Sequence, residues 1–212
     1  MDVKSAIETG DATALRRLLA EDPSRANTLI VWGTRGEIRT HPLHYVSDMR
    51  FNGTLDRARA LPLVDALIDA GANVNHDDLA GRCETPLIGA ASLGAEEVGA
   101  RLLAAGASPN RLGLFGETAL HWAAMIGAER LVGDLLHRGS LVNLKDERYQ
   151  STPLGWALHG WGDQPPGNDR RHHEVVALLI EAGAQVEPAM LESPKVLADA
   201  DMRSALHRGV RT

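Results

Sequence analysis

Thr118-Ala119-Leu120-His121 is one of a set of matching tetrapeptides that decide the fold of this chain. Thr85-Pro86-Leu87-Ile88 precedes it by 33 residues, and Thr152-Pro153-Leu154-Gly155 follows it by 34 residues. His41-Pro42-Leu43-His44 is an earlier variant of the same phrase. A fixed period of this length predicts a chain built from repeated structural units.

A second phrase, centred on glycine, follows each tetrapeptide. Its copies are Ala70-Gly71-Ala72-Asn73-Val74-Asn75, Ala105-Gly106-Ala107-Ser108-Pro109-Asn110, Arg138-Gly139-Ser140-Leu141-Val142-Asn143 and Ala182-Gly183-Ala184-Gln185-Val186-Glu187. Between the two phrases, apolar residues recur at helical spacing, as at Leu131, Val132 and Leu135. Two linked motifs, each present in four copies, indicate that the repeat is not a chance pattern.

The residue types in these phrases predict where helices begin and end. Threonine suits the N-cap of a helix, and proline suits its first turn, where no backbone donor is lost. The glycine after the second helix supplies a left-handed stop. Each repeat is therefore predicted to be a helix, a short turn, a second helix and an extended hairpin loop.

The two phrases resemble the ankyrin repeat, and the resemblance spans nearly the whole chain. It implies an all-α ankyrin-repeat solenoid of about five helix-turn-helix repeats with hairpin loops. The ends lack the tetrapeptide and carry more polar residues, as capping repeats do. We predict a single domain over residues 1–212, with an N-terminal capping repeat at 1–27, four repeats at 28–187 and a C-terminal cap at 188–212, read as two short helices.

Composition narrows the class of partner and the location. Lys and Arg total 22 against 28 Asp and Glu, so the net charge of -6 disfavours nucleic acid as the main partner. No apolar run approaches the length that crosses a bilayer, so no membrane partner is expected. The acidic N-terminus lacks the features of a signal peptide, and a single cysteine, Cys83, fits a reducing compartment. We therefore expect a cytoplasmic protein.

Three irregular segments interrupt the repeat. Residues 28–40 form a long apolar and basic loop, and residues 50–61 and 160–171 are insertions at matching places in the second and fifth repeats. Insertions in repeat proteins map to loops on one face. The two insertions are either side walls of a site or plain surface loops, which tolerate added length at little cost.

The resemblance also implies which side chains line the concave face, because the variable positions follow the first motif residue by four, seven and eight residues. That spacing places three aromatic residues, Tyr45, Trp122 and Trp156, in one groove with Met49 and Met125. Phe115 at a hairpin tip and Trp161 add to the set, and Gly89 leaves room in the middle. Aromatic residues and methionine are enriched where proteins bind partners. We therefore expect a protein or peptide as partner; the alternative is that Trp122 and Trp156 only fill the core.

No signature of a known enzyme class, and no metal or cofactor site, is found in the sequence. The resemblance implies that His44 and His121 are structural, bonding the neighbouring loop. An alternative function is a small-molecule-binding or catalytic protein that takes a small aromatic or apolar molecule. Its acid and base groups would be Asp48 and His159, with His41 or Tyr45. The interaction module is the preferred interpretation.

Overall fold

The computed structural model describes residues 1–34, 36, 38–76, 84–162 and 171–208. The chain forms two compact units, residues 1–108 and 109–212. Within the described residues, no helix is both long enough and apolar enough to cross a lipid bilayer.

Unit 1 (residues 1–108) is built from paired helices and a β-hairpin. Its elements are α1 (Val3–Thr9), α2 (Ala12–Glu21), a 3-10 helix (Pro23–Asn27), β1 (Ile30–Trp32), β2 (Ile38–Thr40), α3 (Pro42–Phe51), α4 (Arg57–Asp69), α5 (Pro86–Ser92) and α6 (Glu96–Ala104). The first helices of the pairs, α1, α3 and α5, pack side by side in one layer, and α2, α4 and α6 form the second layer. The strands are antiparallel, with Ile30 opposite Thr40 and Trp32 opposite Ile38.

Unit 2 (residues 109–212) repeats the paired arrangement. Its helices are α7 (Ala119–Met125), α8 (Glu129–His137), α9 (Pro153–Gly162), α10 (His172–Glu181), α11 (Pro188–Leu191), α12 (Pro194–Ala198) and α13 (Ala200–His207). First helices α7 and α9 pack together, as do second helices α8 and α10, and α13 covers α10.

The core of each unit is aliphatic and lies between the two helical layers. One leucine from each helix between α3 and α10 illustrates the pattern: Leu43, Leu63, Leu87 and Leu102 in unit 1, and Leu120, Leu131, Leu154 and Leu179 in unit 2, none more than 1% exposed. Burying such side chains is the main favourable term for a repeat that cannot bury its apolar side alone.

The predicted helix starts are observed. The Thr85 hydroxyl accepts a hydrogen bond from the Ile88 N–H, and the Thr152 hydroxyl accepts one from the Gly155 N–H, each at 3.3 Å. In α7 the ring nitrogen Nδ1 of His121 accepts from the Thr118 N–H at 3.0 Å. In α3 a histidine occupies the threonine position and caps the helix, because Nδ1 of His41 accepts a hydrogen bond from the Leu43 N–H at 3.3 Å.

The predicted glycine stops are also observed, and an asparagine holds each of them. Gly71, Gly106, Gly139 and Gly183 end the second helices with φ between 81° and 93°. An asparagine amide from the preceding repeat donates to each glycine carbonyl, and its oxygen accepts from the N–H two residues further on. These asparagine clamps pair Asn27 with Gly71, Asn75 with Gly106, Asn110 with Gly139 and Asn143 with Gly183.

The insertion at 50–61 is mostly helix rather than loop. α3 has 10 residues and α4 has 13, whereas α5 has 7 and α6 has 9. Most of the added length therefore continues the helices on either side of a short turn. Of the insertion at 160–171, residues 163–170 lie outside the described residues.

The two ends form short helices. α1 and α2 confirm the helix pair predicted at the N-terminus, and each is capped by an aspartate, Asp2 and Asp11 respectively. The C-terminal segment has three short helices, α11 to α13, where two were predicted, because prolines at 188 and 194 each start a new one.

Candidate functional site

Unit 2 contains a cleft of about 410 Å³ lined mainly by aromatic side chains, called here the aromatic cleft. α7 supplies Trp122 and Met125, α9 supplies Gly155, Trp156 and His159, and the loop before α9 supplies Tyr149 and Ser151. The structure thus brings together Trp122, Met125 and Trp156, as the repeat spacing predicted. It adds Tyr149, which the spacing did not indicate.

The cleft depends on an unusually close approach of α7 and α9. A β-carbon on Gly160 would overlap the backbone carbonyl of Met125, so only glycine fits there. The same carbonyl accepts a hydrogen bond at 2.9 Å from Nε2 of His172, the first residue of α10. This packing brings the rings of Trp122 and Trp156 to a centroid distance of 5.0 Å at 81°, an edge-to-face contact.

Trp156 is both a core residue and the floor of the cleft. Its side chain is only 8% exposed, and its indole N–H donates to the Asp146 carboxylate at 3.0 Å. Asp146 is fully buried and also accepts the backbone N–H groups of Tyr149 at 2.6 Å and Ser151 at 3.0 Å. Burial alone raises the pKa of Asp146, but these hydrogen bonds outweigh it and hold the pKa below its usual value. The carboxylate therefore fixes the loop and the indole together.

Trp122 differs from Trp156 in both exposure and bonding. It is partly exposed in the wall of the cleft. Its indole nitrogen is shielded from water and has no hydrogen-bond acceptor among the described residues. The two tryptophans therefore differ. Trp122 lines the wall of the cleft, whereas Trp156 lines the cleft and also fills the core.

A second feature adjoins the cleft at Tyr149. The Arg148 guanidinium carbon lies 4.7 Å from the ring centre of Phe115 and 5.4 Å from that of Tyr149. Phe115 is 39% exposed and Tyr149 is 64% exposed. We call these three residues the arginine stack. Leu112, Leu114 and Leu141 are also exposed in the loops of this unit.

Unit 1 has a smaller and more polar cleft of about 150 Å³. Its lining includes Trp32 and Thr40 of the hairpin and the N-cap of α3, His41. His44 and Asp48 of α3 and Glu84 also line it. Burial raises the pKa of Asp48; the neighbouring charge of Glu84 also raises it, and His44 lowers it. Across the residues that the structure describes, no group of three or more histidine, cysteine, aspartate or glutamate side chains is arranged to hold a metal ion.

The predicted use of Tyr45 and Met49 as groove residues is wrong. Tyr45 is 1% exposed, and its hydroxyl donates to the Glu8 carboxylate at 2.7 Å. The Trp32 ring covers it at a centroid distance of 5.4 Å. Met49 is 4% exposed. Both side chains are packed inside unit 1, where Trp32 of the hairpin and Glu8 of α1 contact Tyr45.

The residues proposed as an alternative catalytic set are divided between the two units. Asp48, His41 and Tyr45 lie in unit 1, whereas His159 lies in the aromatic cleft of unit 2. His41 is 3% exposed, and both ring nitrogens are engaged, since Nε2 also bonds the Asn27 side-chain oxygen at 3.2 Å. Burial, with the nearby His76 and His44, lowers the pKa of His41 to about 3. Neither His41 nor Tyr45 is therefore available as an acid or base.

Three further sequence predictions have clear outcomes. His121 is structural as predicted, because its Nε2 donates to the Leu144 carbonyl at 3.1 Å. Trp161 does not line the aromatic cleft; its ring packs on His173 at 6.0 Å, between α9 and α10. The room expected at Gly89 is occupied, because a β-carbon there would lie 2.6 Å from the His44 ring.

The sequence matches the family described as "Ankyrin repeats (3 copies)" over residues 57–146 and again over residues 87–190. Together the two matches cover more than half of the chain. The chain belongs to the ankyrin-repeat family. This confirms the predicted family and the predicted all-α repeat fold. Ankyrin repeats generally act as protein-interaction modules.

Asp146, Arg148, Tyr149 and Trp32 were missed from the sequence. Arg148 and Tyr149 stand in a loop just before the Thr152 motif, and Tyr149 is one of only two tyrosines in the chain. An aromatic residue in a polar loop of a chain with 4% aromatic residues was a usable signal. Trp32 lies in the irregular apolar segment 28–40, where the repeat pattern indicates no packing partner.

Proposed function

We propose that this chain is a protein- or peptide-binding module that takes an apolar side chain of its partner in the aromatic cleft. The observation that carries this proposal is the lining itself: Trp122, Met125, Tyr149 and Trp156 surround one open cleft in unit 2. Partner-binding sites concentrate such residues in a central, nearly dry pocket surrounded by polar groups. Here Ser151 and His159 supply the polar edge.

Contacts within unit 2 also fix the lining of the aromatic cleft in the absence of a partner. Trp156 is fixed by Asp146, and α7 and α9 are locked by the contact at Gly160. Since ordering side chains on binding costs free energy, a pre-formed pocket retains more of the contact energy as affinity. Phe115 extends the apolar surface beyond the cleft through the arginine stack.

A selection of random dodecapeptides displayed on phage, with the full purified chain as bait, tests the proposal. Met125→Glu places a charge in the cleft and should abolish capture of the enriched peptides. Leu197→Glu is the matched control, because Leu197 is an exposed apolar residue of the same unit, 54% exposed and outside the cleft. Equal capture by both variants, or no enrichment on the wild type, would refute a peptide site in the cleft.

A small aromatic or apolar molecule is the second candidate, because a volume of about 410 Å³ falls within the usual range of ligand pockets. A thermal-shift screen of such molecules separates the two, since a ligand of the native state raises the melting temperature. A shift that Met125→Glu abolishes, without peptide enrichment, favours the small molecule. The cytoplasmic location stays a prediction.

A further inference from the structure

Arg148 is an exposed cation whose position is fixed but whose charge is not neutralised. Its guanidinium lies over the rings of Phe115 and Tyr149. It forms no salt bridge with any carboxylate of the described residues, whereas Arg171 and Lys145 of the same unit do, with Glu129 and Glu187. A guanidinium stacked on aromatic faces keeps its N–H groups free in its own plane, which is the geometry that grips a carboxylate with two hydrogen bonds.

The loop that carries Arg148 is held rigidly on both sides. Asp146 accepts from the Tyr149 N–H at 2.6 Å, and the Glu147 N–H donates to the Phe115 carbonyl at 2.6 Å. Gln150 adopts a φ of 52°, rare for a residue other than glycine, and its side-chain amide bonds the carbonyls of Asp146 and Glu147. A loop tied down in this way presents Arg148 in one place, so little entropy is lost when a partner binds it.

Arg148 is also close to the aromatic cleft. The ring of Tyr149 lies 5.4 Å from the Arg148 guanidinium carbon and 6.1 Å from the ring of Trp156. The guanidinium is thus at most about 12 Å from the Trp156 ring, a distance that an extended peptide covers in about four residues. One short segment can reach both.

We infer that the partner segment is acidic and apolar: an Asp or Glu side chain pairs with Arg148, and an apolar side chain within about four positions of it enters the aromatic cleft. This rests on the proposed function of the cleft. The net charge of -6 does not prevent it, because salt screens charges beyond about 10 Å while a direct pair is retained. A basic side chain in the cleft is disfavoured, because Arg148 stacks on the same Tyr149 ring that lines it.

The dodecapeptide selection tests this inference separately when it is run on the wild type and on Arg148→Gln. Wild-type binders should show an Asp or Glu near an apolar residue, and binders selected on Arg148→Gln should lose that acidic preference. Arg130→Gln is the matched control, since Arg130 is an exposed arginine of the same unit on α8. It should leave the preference unchanged.

One enriched peptide then gives the size of the effect. Replacing its acidic residue by the amide should weaken binding to the wild type about three- to tenfold and leave binding to Arg148→Gln unchanged. Binders that need Met125 but show no acidic residue, or that favour Lys or Arg, would overturn the inference and leave the proposed function standing. Failure to enrich any cleft-dependent peptide would overturn both.

Discussion

The fourth residue after the motif's first position has opposite fates in the two units. In the repeat of unit 1 that begins at His41 it is Tyr45, covered by Trp32 of the hairpin and bonded to Glu8. In unit 2 it is Trp122 and Trp156, which meet edge to face in an open cleft. The repeat puts all three on the same side of the first helix. What lies over that side decides whether the residue is covered or lines a cleft.

The eighth position shows the same contrast. In the repeat of unit 1 that begins at His41 it is Met49, which is buried at 4% exposure and fills space. In the last repeat of unit 2 it is Gly160, where the absence of a side chain lets α9 approach the backbone of α7. In unit 1 the Met49 side chain fills the space beside the first helices. In unit 2 the lack of a side chain at Gly160 lets α9 pack closely on α7, and the rings of Trp122 and Trp156 contact each other.

The largest effect is expected at Asp146, whose counterpart in unit 1 is the Glu8 that bonds Tyr45. Asp146→Ala leaves two backbone N–H groups and an indole N–H without their buried acceptor. We expect a loss of about 4 kcal/mol in the free energy of unfolding, measured with urea. Asp134→Ala, at an exposed position of α8, is the control and should change stability little. A loss below about 1 kcal/mol would mean that the carboxylate does not organise the cleft.

The close approach of α7 and α9 predicts a loss of about 3 kcal/mol for Gly160→Ala, since the added methyl overlaps a backbone carbonyl that cannot move aside. Gly133→Ala is the matched control in α8, where nothing lies within 4 Å of the new methyl. There the higher helix propensity of alanine should raise stability by about 0.5–1 kcal/mol. Equal effects of the two substitutions would contradict the tight contact.

Phenylalanine substitutions at the fourth position measure how much each side-chain hydrogen bond contributes to the free energy of unfolding. Trp156→Phe removes the buried bond to Asp146 and should cost about 2 kcal/mol, and Tyr45→Phe removes the bond to Glu8 at a cost of about 1 kcal/mol. Trp122→Phe removes a donor that has no acceptor among the described residues and should cost at most about 0.5 kcal/mol. Urea unfolding monitored by circular dichroism measures all three. A reversed order of the three stability losses would show that the side-chain hydrogen bonds do not determine the differences between them.

The last expected effect is a pH dependence of stability in unit 1, whose size is set by the pH at which it is measured. His41 has a folded pKa of about 3 against 6.5 for the free side chain, so below pH 6.5 the unfolded state takes up a proton that the folded state refuses. Stability should therefore fall from pH 6.5 towards pH 3, with a contribution of about 1.4 kcal/mol per pH unit from this group.

His41→Thr installs the residue that caps the corresponding helices at Thr85, Thr118 and Thr152. It should keep the cap and flatten this part of the stability profile in urea unfolding at pH 5 and pH 7.5. His121, whose pKa burial also lowers, should still give some slope. A profile identical to that of the wild type would show that His41 is not the group responsible.

The frame of the fold was predictable because its signals are local. A threonine before an apolar turn and a glycine after one act on their own neighbours, so Thr85 and Gly106 could be assigned without knowing the rest of the chain. The same locality explains the success with His121, whose position within the motif fixes its loop partner.

The site was only partly predictable because exposure depends on distant segments. Spacing placed Tyr45 and Trp156 alike, but Trp32, 13 residues before Tyr45, packs over Tyr45, whereas Trp156 lines the aromatic cleft. Arg148 gains its position from Phe115 and from hydrogen bonds to Asp146, none of which the period encodes. Residues outside the repeat thus carry most of what distinguishes this chain.

The asparagine clamps affect which insertions and deletions the sequence can accept during evolution. The asparagine and the glycine it holds are 44, 31, 29 and 40 residues apart in the four clamps, yet the hydrogen bonds differ in length by only a few tenths of an ångström, from 2.9 to 3.3 Å. Insertions and deletions between two clamps therefore leave the joint itself intact. Evolution can lengthen helices, as at 50–61, or change the sequence of loops, while the hydrogen-bonded joint of each clamp is retained.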